Sequence, residues 1–149
     1  MAVFRFRMQS ILDMKEKMEQ QSKNEFAQAQ KELLDEEEEM QKLRRKEELL
    51  YEEGMRLRQS TIEIQEILDN KKAIEHVKGL IEQQRLAVVM AEKKVDAATK
   101  RMMDARVQTK TYEKLREKAL AEYQMEENKK ENKEVDELNS YRFGQRPAE

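Results

Sequence analysis

The chain has 149 residues, 42% of them charged and only 5% aromatic, with one proline, three glycines and no cysteine, a composition that excludes a conventional globular core and makes long helix the default. Its net charge of -2 comes from 30 basic and 32 acidic residues interleaved along the sequence, so it lacks the concentrated positive surface that nucleic acid binding requires. No run approaches the roughly 20 apolar residues of a membrane helix, and the start lacks the apolar core of a secretory signal, so the expected location is the cytoplasm.

The first predicted element is a helix over about residues 4–58. Met8, Leu12, Lys15, Glu19, Ser22, Phe26, Ala29, Leu33, Glu36, Met40, Leu43, Glu47, Leu50, Gly54 and Leu57 recur at alternating steps of three and four, the spacing of a coiled-coil seam. Phe4, Ile11 and Met18 flank this seam and widen its apolar face. The run Asp35 to Glu39, followed by Arg44-Arg45-Lys46, reads as a solvated helix face with pairing between successive turns, worth a few tenths of a kcal/mol per pair.

Between about residues 54 and 72 the heptad phase breaks, and the chain is expected to turn at about 58–65. Gly54 weakens the first helix, Ser60 with Glu63 forms a capping box, and Asp69-Asn70 offers a second helix start. Ile62, Ile64, Ile67 and Leu68 are too apolar for a bare loop and suggest a short helical turn packed on the hairpin end. A second helix then runs over about 66–138. Its seam is cleaner: Ile74, Val77, Ile81, Gln84, Val88, Ala91, Val95, Ala98, Met102, Ala105, Thr109, Tyr112, Arg116, Ala119 and Tyr123. Leu80 flanks it, while Leu86 with Val89 and Met103 with Val107 point away from it.

These elements define an all-α fold, one antiparallel coiled-coil hairpin over residues 1–149 whose C-terminal helix is the longer. A turn near residue 61 places Ala91 opposite about residue 31 and Ala98 opposite about 24, which is expected to bring these alanines near Phe26 and Leu33, small residues against large ones. The tail from about 139 to 149, with Gly144 and Pro147, is expected to be irregular.

Nothing in the sequence points to catalysis, a cofactor or a metal. His76 is the only histidine, sits one position off the seam and reads as a solvated helix residue. Carboxylates abound, but a two-helix chain offers no cleft to drive their pKa values apart. No glycine-rich phosphate loop, nucleophile elbow or zinc spacing occurs. Function is therefore expected at contact surfaces.

The start Phe4-Arg5-Phe6-Arg7-Met8-Gln9-Ser10-Ile11-Leu12, the segment Ile81 to Leu86, the run Lys93-Lys94-Val95-Asp96, the stretch Tyr112 to Lys118 and the late stretch Lys129 to Glu137 together resemble the FliJ family in order and spacing. The resemblance covers nearly the whole chain. It implies a non-enzymatic, cytoplasmic component of the bacterial flagellar type III protein export apparatus. Such a protein acts as a central-stalk-like coiled coil in the hexameric export ATPase ring (FliI-like) and also touches the export gate protein (FlhA-like). Export chaperones are further implied partners, and the membrane is reached only through partners. Carried onto this chain, the ring contact falls on Phe4, Phe6, Met8, Ile11, Leu12, Leu115, Asp136 and Glu137, and the gate contact on Leu43, Leu50, Val77, Leu80 and Gln84. A stalk subunit of a rotary ATPase and a passive coiled-coil scaffold are the rival readings.

Overall fold

The computed structural model describes residues 3–59, 61 and 63–144. Two helices, α1 (Gln9–Gln59) and α2 (Ile64–Gly144), make up nearly all of it, with no strand among the described residues. They pack antiparallel, and α2 is the longer. No described helix is long and apolar enough to cross a membrane. The chain divides into two compact units, Met1–Glu19 with Asp104–Glu149, and Gln20–Met103.

In the unit Gln20–Met103 the helices pair about a centre near residue 60: the Asn70 amide donates to the Leu50 carbonyl at 2.9 Å, and the Gln84 amide donates to the Glu36 carbonyl at 2.8 Å and to the Glu36 carboxylate. Ala29, Val77, Ile81, Ala91 and Ala98 are buried along the line of contact. Ala98 lies beside Asn24, Gln28 and Ala29, as a turn near residue 61 requires, and Arg101 reaches Glu25 at 3.7 Å. In the other unit Leu12 and Thr109 are buried. The Thr109 hydroxyl shares its proton between the Ala105 carbonyl at 3.0 Å and the Lys15 carbonyl at 3.2 Å, so a polar seam residue is satisfied without water.

Every seam residue read from the heptads is buried or half-buried except Arg116, which is exposed. Several local expectations are corrected. The first helix starts at Gln9 rather than near residue 4. Its preceding segment alternates instead, with Phe4, Phe6 and Met8 half-buried and Val3, Arg5 and Arg7 exposed. Residues 3–6 are irregular and Arg7 and Met8 form a turn, whereas a helix would drive the two phenylalanines to different faces. The second helix starts at Ile64 and does not stop near 138 but continues to Gly144, because the Glu, Lys and Asn residues there keep adequate helix propensity after the seam is lost. Residues 139–144 of the expected irregular tail are therefore helical, and 145–149 lie outside the described residues.

Asp69-Asn70 is not a helix start but lies inside α2, and α1 passes through Gly54 without a break. Ile64 and Leu68 belong to the exposed beginning of α2 rather than to a separate packed turn, while Ile67 is half-buried and its amide donates to the Glu63 carbonyl at 3.3 Å. Ser60, half of the expected capping box, and Ile62 lie outside the described residues.

Candidate functional site

The unit built from the two chain ends carries the most distinctive surface. Before α1 begins, the segment Val3 to Met8, irregular over 3–6 and turning at Arg7 and Met8, lies along α2 as a strap. The Phe4 ring sits 5.5 Å from that of Tyr123, inclined at 51°, and the Arg116 guanidinium lies 5.8 Å from the centre of the same ring. Arg116 also donates through Nε to the Gln9 side-chain oxygen at 3.1 Å. One guanidinium thus ties the strap and the first turn of α1 to α2, combining a cation–ring contact with a hydrogen bond. The Gln9 amide donates to the Phe6 carbonyl at 3.1 Å and closes the junction of strap and helix.

Phe4, Phe6 and Met8 line a surface groove with Leu115, Ala119 and Tyr123, rimmed by Arg5, Arg7, Lys118, Glu122 and Glu126. The structure therefore gathers four of the residues assigned to the ring contact, Phe4, Phe6, Met8 and Leu115. Ile11, 36% exposed, stands on the adjoining turn of α1, whereas Leu12 at 3% is packed inside the helix pair. Met14 and Met18 follow Ile11 at steps of three and four and are also exposed, so an apolar line continues from the first turn of α1. Asp136 and Glu137 are not part of this groove. They stand on the exposed stretch of α2 over residues 128–144.

In the unit Gln20–Met103, the residues assigned to the gate contact divide by burial. Val77 is 1% exposed and wholly committed to the seam. Leu43, Leu50 and Leu80 are half-buried, and half-buried Gln84 is occupied by Glu36. Leu86, Val89, Met103 and Val107 point outward as their heptad positions predict, and His76 is exposed on α2. A feature the sequence reading missed is Tyr51 on α1, 44% exposed, with the Lys78 ammonium 5.6 Å from its ring centre. A hydrogen bond from Lys78 to Tyr51, helped by Glu47 and Glu75, holds the lysine above its ordinary pKa. Both residues occupy the heptad position that flanks the seam on the same side, which is the signal that could have paired them once the register was known.

The fold and these surfaces define a two-helix coiled-coil protein whose distinctive features are an apolar groove beside the strap and exposed apolar side chains outside the seam. The sequence model described as flagellar FliJ protein matches residues 4–148, and the chain belongs to that family. It is similar to the flagellar FliJ protein of Bacillus subtilis (strain 168), 24% identical over 140 residues that cover 94% of this chain and 95% of that protein. No solved structure gives a significant match.

Proposed function

We propose that this chain is a cytoplasmic component of the bacterial flagellar type III export apparatus, acting at the inner face of the membrane through its partners. It couples and does not catalyse. The unit that joins the two chain ends docks in the hexameric export ATPase ring through Phe4, Phe6, Met8, Ile11 and Leu115, with Leu12 supporting them from within and Asp136 and Glu137 contributing from the exposed end of α2. The unit that contains the turn meets the export gate protein, with Leu43, Leu50 and Leu80 offering partly open apolar surface and Val77 and Gln84 holding the helices in register beneath it. Escort of export chaperones belongs to the same reading.

Membership of the family over 4–148 carries the proposal, and the strap groove supplies the surface chemistry it needs. An apolar groove edged by both signs of charge suits docking that depends on buried contacts and on orientation. The test is co-elution of the purified chain with its cognate export ATPase, together with ATP turnover. The chain alone is expected to hydrolyse nothing and to stimulate ring assembly or turnover. The Phe4→Ala/Ile11→Ala variant should keep its helicity by circular dichroism and lose the stimulation. Unchanged turnover and no co-elution of the unaltered chain at micromolar concentration would refute the ring assignment.

A further inference from the structure

The face of α1 turned away from the seam carries a charge pattern that the proposed function does not use. Lys31, Glu38, Arg45 and Glu52 recur every seven residues along it, all exposed, and alternate in sign. Leu34 and Leu49, 55% and 63% exposed, lie just outside the central pair. Among the described residues no ion pair within the chain engages any of these four charges, and the surrounding acidic and basic run contributes only Lys42 to Glu39 at 3.2 Å. Pairing between turns of the same helix therefore does not account for the pattern.

The pattern is complementary to itself when its direction is reversed. A second α1 laid antiparallel, centred between Gln41 and Lys42, sets Glu38 opposite Arg45 of the second copy and Lys31 opposite Glu52. It also brings Leu34 level with Leu49. Two-fold symmetry repeats each contact, so all four charges of this row are paired, although Asp35 comes level with Glu48 and Lys42 stands beside its own copy. A parallel copy would set every charge against its own like, which repels.

We propose that the outward face of α1 is a homotypic docking surface that takes a second copy of this chain in antiparallel orientation. Its apolar content is small, two leucine pairs, so the contact falls short of the roughly 1,000 Å² below which an interface is weak or transient. Association is accordingly reversible, and because its charges are exposed, salt weakens it. A face that is merely solvated would be indifferent to the order of its charges.

Sedimentation of the full chain at low and high salt, over a wide concentration range, tests the proposal. The expected result is a monomer–dimer equilibrium that shifts toward monomer as salt rises. Glu38→Arg sets arginine against arginine twice and should weaken association by about tenfold or more. The double change Glu38→Arg/Arg45→Glu rebuilds both pairs with reversed polarity and should restore it, with helicity checked for each variant. Because the chain has no cysteine, Leu34→Cys and Leu49→Cys can report orientation. A chain carrying both should be captured as a covalent dimer by a short bismaleimide. Leu34→Cys alone should not, since its two copies would stand fifteen residues apart, about 22 Å. A monomer at every concentration in low salt, a double reversal that fails to restore association, or cross-linking of Leu34→Cys alone would each overturn the proposal.

Discussion

Gly54 lies on the seam because Asn70 occupies the space a side chain would need: a Cβ there would stand 2.7 Å from the Asn70 Oδ1 atom. Glycine inside a helix costs about 1 kcal/mol relative to alanine, and the bond from Asn70 to the Leu50 carbonyl returns about the same amount. Gly54→Ala should therefore leave stability nearly unchanged in the unaltered chain and raise it by about 1 kcal/mol when Asn70→Ala has cleared the space. A double-mutant cycle in urea measures the coupling; additive effects would mean that Asn70 moves aside without loss. Val77 has no such compensation. It is the most deeply buried large side chain of the seam, and Val77→Ala removes about two methylene equivalents and leaves a void, for an expected loss of about 2 kcal/mol in the same assay.

At the scale of elements, the start of α2 is held in tension by its own charges. Glu66 has a raised pKa, first through its side-chain hydrogen bond with Glu63 and then through repulsion from Glu63, with desolvation, Glu53 and Asp69 adding to it. A carboxyl group whose folded pKa exceeds the unfolded value stabilises the fold below the unfolded value, and that contribution is lost as pH rises through the folded one. The beginning of α2 should therefore tighten on acidification from neutral pH. Glu63→Gln should raise the thermal midpoint at neutral pH, lose that advantage in acid and bring the Glu66 titration, followed by NMR, back toward its ordinary range. An unchanged Glu66 titration would refute the assignment. The pairing itself was legible in the heptads, because burial between two helices follows one period, and only Arg116 departs from it. Arg116 reaches instead to Gln9 and Phe4. The strap was not legible: its two-residue alternation is too short to outweigh a helical period that resumes at Met8. The reason for Gly54 and the meeting of Tyr51 with Lys78 depend on register between helices, which no local pattern encodes. For the candidate groove, the sequence located the aromatic start and Leu115 but not the irregular segment and turn that bring them together.

For the molecule as a whole, the division between residues that hold the helices together and residues left for partners can be tested by one truncation. Residues 128–144 are exposed throughout, although helix propensity keeps them in α2. They contribute almost no packing, so a chain ending at Glu127 should unfold within about 0.5 kcal/mol of the full chain, the range usual for surface changes. Its circular dichroism should fall only by the share of helix removed. Asp136 and Glu137 leave with the deleted segment, while Phe4, Phe6, Met8 and Leu115 keep their groove. If both regions serve the export ATPase, the truncated chain binds it more weakly than the full chain but more strongly than a truncated Phe4→Ala/Ile11→Ala variant. Full stimulation by the truncated chain would remove Asp136 and Glu137 from the ring contact and leave the strap groove to carry it. A large loss of stability would instead place the end of α2 among the elements that hold the pair together, against the exposure seen for every residue from 128 to 144.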